Sequence, residues 1–404
     1  MTSPTPPLEV LIIGAGTTGL LLAQGLKQSG LKVTIFEREL PGASRKYNRE
    51  WSMSLHWGSE AISKILPSEL YSRMNEAFVD SNWNAKDGWT LNQYDGSTGE
   101  LVMETPMPPG AARVSRTKMR KLFSEGLDVR YGKKLVSISQ DENGVTAVFE
   151  DGSQATGSVL IGCDGGRSVA RRLLVGEEKA ASKDLGISVM NFPLHFKPDL
   201  AKQIHAQHPI AFNTYHPKNW MFWVSTVDVP NPEDPESWLI QLMFFWRPGD
   251  EDLADQASRT AFLRSKSEEY VEPWRSILSA IPDDASFGID HIHEWQPFDW
   301  SSSPLADRVT LAGDAAHNMA PNRGQGLNIG LQDAAVLSEL LSKAEPTPES
   351  LCAALRKYEA EMLPRSSREV QISSKAASLA HNFEMLKESP LARFGIRKSR
   401  NDDL

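Results

Sequence analysis

The chain has 404 residues, 40% of them hydrophobic and 24% charged, with a formal net charge of -9. That length predicts two domains with cores able to bury a large cofactor, and the composition excludes a disordered polymer. The negative balance argues against a broad nucleic-acid surface, no apolar run reaches the roughly 18 residues needed to cross a bilayer, and Cys163 and Cys352 alone make neither a disulfide framework nor a metal cluster.

The opening MTSPTPPLEV lacks the basic and apolar regions of a secretory signal, so a cytoplasmic, reducing location is expected; the basic FGIRKSR near the C-terminus reads as a solvated end. Residues 8–13, LEVLII, predict a short buried strand. GAGTTG follows, then the apolar-rich LLLAQGLKQSG, which predicts a helix, and LKVTIFER, a second strand ending at Glu37. The first 40 residues therefore form a βαβ unit. Residues 45–109 are mixed, with Trp51, Trp57, Trp83 and Trp89 among turn signals. SRTKMRKLFSEGL predicts a helix, and KLVSISQD, VTAVFED and SVLIGCDG predict strands returning to the first unit.

Between about residues 185 and 248 the texture changes. ISVMNFPLHF, WMFWVSTVDV and WLIQLMFFW predict a separate, largely antiparallel sheet rich in aromatic and β-branched residues. Trp220, Phe222, Trp223, Phe244, Phe245 and Trp246 lie on its strands, where alternate residues face opposite sides. A helical stretch follows at 259–280, then the strand and turn of RVTLAGDAAH, the helix GLNIGLQDAAVLSELLSKA, and a helical remainder from 350 onward.

Three motifs carry chemistry. In GAGTTG the spacing G-x-G-x-x-G lets the chain turn sharply, lets backbone approach a pyrophosphate and lets the helix pack on its strand. The helix N-terminus then presents N–H groups and a positive dipole end to the phosphates, and Glu37 is placed to accept from ribose hydroxyls. Three glycines at fixed positions recur by chance in roughly one chain in ten of this length, so the flanking strand, helix and acidic residue carry the assignment. VLIGCDGGRSVARRLL and RVTLAGDAAHNMAPNRGQGLNIGLQDAA each place an acidic residue, Asp164 or Asp314, at the C-terminal edge of a buried strand, where open α/β sheets bind ligands.

These three strings together resemble the class A flavoprotein monooxygenases, the family of para-hydroxybenzoate hydroxylase and salicylate hydroxylase, over nearly the whole chain. The resemblance implies an α/β fold: a Rossmann-like FAD-binding domain from 1–75, 100–180 and 300–345, an antiparallel-sheet substrate domain from 76–99 and 181–299, and C-terminal helices over 346–404. It also implies site residues. Gly14, Gly16, Thr18, Gly19 and Glu37 would hold the FAD pyrophosphate and ribose, with Arg38 beside the adenosine. Arg116 matches the family arginine that reaches FAD, with Arg113 as the neighbouring alternative. Asp314 would bond the ribityl chain, and Gly324, Gly326, Leu327 and Asn328 would face the electron-rich end of the isoalloxazine. Asp164 is associated with FAD and NAD(P)H, and Pro321 with flavin and substrate. Arg49, with Trp51 and His56 behind it, falls in a family loop against the flavin. Tyr215 and His216 are candidates for activating a phenol, whereas His317 reads as structural. Glu361 and Arg323 depart from the family pattern, and no metal is implied.

The activity implied is monooxygenation: NADPH or NADH reduces FAD, O2 adds to the reduced flavin, and the C4a-hydroperoxide delivers one oxygen atom. REWSMSLHWG and RGQGLN resemble fungal enzymes that modify natural products, so an aromatic or polycyclic substrate is expected, with the protein a monomer or homodimer. A flavin dehydrogenase or reductase, and a non-catalytic Rossmann-like binding protein, are the alternatives; a halogenase is disfavoured because NWMFWVS lacks its W-x-W-x-I-P string.

Overall fold

Five short aliphatic strands pair in parallel, in the order Val309–Leu311, Val159–Gly162, Glu9–Ile13, Lys32–Glu37, Val129–Tyr131. Strands covered on both faces read as continuous apolar runs, and every residue of Val159–Gly162 is buried. The computed structural model describes residues 8–42, 50–83 and 86–389. The helices Thr17–Gln28 and Gly326–Ser342 pack together in the core layer, where Gly25 meets Ser338 and Gly330 meets Thr18 at distances that leave no room for a larger side chain.

Two sequence expectations are corrected by the pairing. Of the strands expected to return to the first unit, only Val159–Gly162 does so; Leu135–Asp141, Gly144–Phe149 and Gln154–Gly157 form a separate three-stranded antiparallel sheet. The hairpin turn at 141–144 forces this outcome, because Asp141 Oδ1 accepts from the Asn143 and Gly144 N–H groups and reverses the chain on the spot. The second sheet also extends past residue 99, since Leu101–Met107 pairs with Trp89–Asp95.

That second sheet has seven strands in the order Asp290–Glu294, Lys183–Leu194, Leu239–Trp246, Met221–Asp228, Ala211–Tyr215, Trp89–Asp95, Leu101–Met107. All neighbours are antiparallel except Ala211–Tyr215 with Trp89–Asp95. Strand alternation divides its aromatics. Phe222, Phe244 and Trp246 pack with Phe262, Tyr270 and Trp274 from the outer helices, while Trp223 and Phe245 turn to the opposite face with Met221 and Met243. The long helix Pro348–Ala380 starts at a Thr347 cap, whose hydroxyl accepts from Ser350 N–H at 3.2 Å, and fixes itself to the parallel sheet through the Tyr358 hydroxyl donating to Leu311 O at 3.0 Å. No helix of the described residues is long and apolar enough to cross a membrane.

Candidate active site

The carboxyl ends of the parallel strands and the Trp223 face of the second sheet enclose one cleft of about 1870 Å³. Ordinary small-molecule pockets span roughly 300–1,000 Å³, so this one has room for an extended dinucleotide and a second molecule.

The glycines of GAGTTG do three different jobs. Gly14 has φ of +106° and its missing Cβ would overlap the Cys163 backbone; Gly19 lacks a side chain because one would strike the Gly14 carbonyl and Ile12. Gly16 is unlike both: a Cβ there would find only the Cys163 carbonyl, 4.0 Å away, and the position opens on the cleft. Gly16 also starts the helix Thr17–Gln28 with no side-chain cap, so its first N–H groups face the space in which a phosphate would be held.

Glu37 closes the other side of this turn. Its carboxylate accepts from Ala15 N–H at 2.9 Å and Glu39 N–H at 3.0 Å, and Arg120 lies 3.9 Å away while donating to Ala15 O at 2.8 Å. Arg120 escaped sequence reading, although it stands one helical turn beyond Arg116 on Arg116–Ser124. Arg116 lies over the Trp51 ring, 4.7 Å from its centroid, at the cleft wall; Arg38 is exposed at the rim.

The second and third motifs are tied to each other. Asp164 caps the helix Val169–Val175, accepting from Ser168 Oγ, from Val169 N–H at 2.7 Å and from Ala170 N–H at 3.1 Å, while still lining the cleft. Burial pushes its carboxyl up against the opposing effect of those bonds. Arg171 reaches across to Ala315 O at 3.2 Å and to Gly166 O at 2.6 Å. Asp314 projects into the cleft, where it is exposed; the surrounding protein pushes its carboxyl up, with His317 and Arg171 acting against that push. Behind it, fully buried Asp333 accepts from Gly313 N–H at 2.8 Å, pairs with His317 at 2.5 Å and takes Arg365 at 2.9 Å.

The turn Pro321–Arg323 leads through Gly324, at φ of +63°, into Gly326–Ser342, a second helix whose start carries no side-chain cap and opens on the same cleft. Pro321, Gly324, Gly326 and Leu327 line it. The side chain of Asn328 is directed elsewhere: Oδ1 accepts from His56 and Gly58 N–H, and Nδ2 donates to the Ser54 and Gly324 carbonyls at 3.0 Å each. All of its common bonds are spent on clamping the turn to the strand Ser52–Leu55.

Tyr215 and His216 are corrected as candidates for activating a phenol, because neither reaches the cleft. The Tyr215 hydroxyl donates to Gln93 Oε1 at 2.9 Å inside the sheet, and burial pushes it up to about 12. His216 stacks on Trp220 on the outer face and accepts from Lys218 N–H at 3.1 Å. Tyr215→Phe should therefore leave steady-state turnover within about twofold and cost only the ~1 kcal/mol of one neutral hydrogen bond; a hundredfold loss of turnover would restore Tyr215 to the site. Arg49 lies outside the described residues.

A parallel dinucleotide-type sheet sharing its cleft with an aromatic-faced antiparallel sheet defines an FAD-binding oxidoreductase. A family described as FAD binding domain matches residues 109–373, and an NAD(P)-binding Rossmann-like domain matches residues 12–74. The FAD-dependent monooxygenase phnB of Penicillium herquei is 34% identical over 98% of this chain and 96% of its own, and cctM of Talaromyces islandicus is 34% identical over 98% and 99%. Among solved structures, Klebsiella pneumoniae HpxO complexed with FAD and uric acid superposes with a TM-score of 0.77 at 22% identity, covering 96% of this chain and 92% of that one. A salicylate hydroxylase substrate complex gives 0.71 at 24%, covering 96% and 94%. The chain belongs to the class A flavin monooxygenases and is an FAD-dependent enzyme.

Proposed function

We propose that this enzyme takes reducing equivalents from NADPH or NADH and inserts one oxygen atom of O2 into an aromatic or polycyclic substrate of natural-product type. One observation carries this reading: the Pro321–Leu327 turn and the sheet residues Asn191, Trp223, Met243 and Phe245 face each other across a single cleft that also contains the glycine turn. The relatives named as fungal FAD-dependent monooxygenases support the reaction, and the uric acid complex of HpxO supports a planar ligand.

The bound FAD would carry electrons from NADPH or NADH to O2, which is the source of the oxygen atom delivered, its second atom leaving as water. The protein would do the rest. The uncapped start of Thr17–Gln28 would hold the pyrophosphate, and the free lone pairs of Glu37 would take the adenosine ribose with Arg38 outside it. Asp314 would accept from the ribityl hydroxyls, and the first N–H groups of Gly326–Ser342 would favour negative charge on the reduced ring. Arg116 and Trp51 would flank the middle of the cofactor. The apolar row Met221, Trp223, Met243 and Phe245 would exclude water from the reacting face. The division into cofactor segments and a substrate sheet is carried forward, with the first sheet segment extended to Met107.

Isotopically labelled O2, supplied with NADPH or NADH and a panel of hydroxylated polycyclic aromatics, tests this. One labelled oxygen per product molecule is expected by mass spectrometry. Substrate-stimulated nicotinamide oxidation that yields only hydrogen peroxide across the panel would make the protein a reductase and end the proposal.

A further inference from the structure

The cleft does not end at the row of Met221, Trp223, Met243 and Phe245. Asn322, in the Pro321–Arg323 turn, donates to Met221 Sδ at 3.5 Å, which marks the end of the row next to that turn. Beyond Trp223 the two-stranded ribbon of Ser52–Leu55 and Ala112–Ser115 is pinned onto the sheet. Ser52 N–H donates to Gln241 Oε1 at 3.1 Å, and Arg113, its guanidinium carbon 5.1 Å from the Trp223 ring centroid, donates to Ser52 Oγ at 2.8 Å and Ser225 Oγ at 3.4 Å. With the floor covered there, the lining continues sideways, to Trp89, Leu91, Thr105, Met107, Pro108 and Pro109 on the edge strands and the turn that follows them.

Strand register gives this side arm its length. Trp223 lies opposite Asn213 and Asn213 opposite Gln93; Leu91 and Trp89 follow on the same face at two-residue intervals, with Thr105 and Met107 across from them. At a strand spacing of about 4.8 Å and a rise of about 3.3 Å per residue, Leu91 stands roughly 12 Å from Trp223 and Trp89 roughly 16 Å. Trp223 packs both with Met221, Met243 and Phe245 and with Leu91, Trp89 and Met107, so the apolar floor is unbroken. The chemistry of the arm differs from the rest of the cleft. Elsewhere the wall carries charge, as at Glu37, Asp164, Asp314 and Arg365, whereas no lining residue between 89 and 109 is charged. The Trp89 indole N–H is spent on Ala111 O at 3.0 Å, and Thr105 Oγ accepts from Gln93 Nε2 at 2.8 Å.

The arm is also held open. The Trp89 ring is fixed by its bond to Ala111 O and by the His208 ring, 5.1 Å away, and two successive prolines set the backbone of the exposed rim, where Ala111 N–H closes a turn on Pro108 O at 3.0 Å. Half-buried Trp89 and Met107 thus face a preformed apolar groove that water alone fills poorly. We propose that this arm takes an aliphatic chain carried by the substrate ring, laid from Trp223 past Leu91 and leaving between Met107 and the proline rim. The open mouth admits a chain end-on, the unbranched Met107 side chain moulds to it, and the run holds roughly ten carbons in extended zigzag. This rests on the reading of the cleft as an oxygenase site and adds the substrate class: a ring with an apolar chain.

The test follows binding to the FAD-loaded protein by equilibrium dialysis. The probes are resorcinols with straight 5-alkyl chains from methyl to heptyl, and one with an oligoether chain of heptyl length. Wild type should bind about twofold tighter for each methylene added, half the gain of a fully enclosed one, or about 60-fold from methyl to heptyl, and hold the oligoether within about threefold of methyl. Met107→Glu should weaken heptyl at least about tenfold and methyl less than about twofold. Leu91→Phe, which narrows the arm without charging it, should weaken heptyl about fivefold and propyl less than about twofold. Wild-type affinities that do not rise with chain length overturn the proposal even if the variants fail to fold. A rise that survives Met107→Glu also overturns it, by putting the chain on an unrelated apolar surface, as does weakened FAD binding in that variant with the chain preference intact, which would give the arm to the cofactor. A chain preference with no labelled oxygen entering any resorcinol would instead sink the oxygenase reading alone.

Discussion

Asp333→Ala should lower the free energy of unfolding by about 3–5 kcal/mol and release the Gly313–Asp314 turn from its place in the cleft. Asp333 is fully buried and is the shared acceptor of Gly313 N–H, His317 Nε2 and Arg365 Nη2. Removing it strands a backbone donor and leaves Arg365 with Glu361 alone, an exposed partner one helical turn away. The cost of a broken buried pair lies mainly in the partner left uncompensated. Asp333→Asn keeps the volume and one acceptor, so its loss should be smaller. A guanidinium chloride midpoint unchanged in both variants would show that the three donors find other acceptors.

The same network sets an acid limit. Burial pushes the Asp333 carboxyl up, but His317 and Arg365 outweigh it and hold the group below its ordinary value. A depressed carboxyl stabilises the fold above its unfolded value, about 3.9, and that contribution is lost as pH falls through the folded value. Acid unfolding of the wild type should thus deepen below about pH 4, and Asp333→Asn should flatten that limb.

The parts of this molecule that sequence reading recovered are those fixed by neighbours in the chain. GAGTTG, CDGGRSVAR and GDAAHNMAPNRGQGLN each combine a buried strand, a turn and a helix start within about a dozen residues, so glycine spacing and apolar runs suffice. The alternation that sent Trp223 and Phe245 to the cleft and Phe222 and Phe244 away from it is equally local. Arg113, Arg120 and His56 depend on contacts across the fold. Arg113 meets Ser225, 112 residues distant, and Arg120 meets Ala15, 105 residues distant. No periodicity announces such a meeting. Tyr215 was misread for the same reason: a phenol beside an aromatic strand looks available until Gln93 takes its bond. The three-stranded side sheet was missed because its strands match central ones in composition, and only the reversal at 141–144 separates them.

Gly16→Ala should abolish tight FAD binding while leaving the fold intact. The backbone at Gly16 has φ of -76° and ψ of 174°, an extended conformation that alanine adopts without strain, and the added methyl would meet no protein atom closer than 4.0 Å. Unfolding of the FAD-free variant should stay within about 0.5 kcal/mol of wild type. The methyl would instead stand where the pyrophosphate approaches the first N–H groups of Thr17–Gln28, and holding the phosphates off those donors should weaken FAD about 30- to 100-fold, some 2–3 kcal/mol. Gly14→Ala makes the contrast. At φ of +106°, with the new Cβ 2.7 Å from the Cys163 carbonyl carbon and 2.9 Å from Asp164 Cα, it should destabilise the apoprotein itself. Titration of FAD into each apoprotein by flavin fluorescence, with thermal unfolding alongside, separates the two effects. Saturating cofactor should also protect wild type by about 1.4 kcal/mol more for each tenfold difference in affinity from Gly16→Ala. Wild-type FAD affinity in Gly16→Ala would mean that the pyrophosphate does not sit at this helix start, and the placement of the cofactor along the cleft would have to be redrawn.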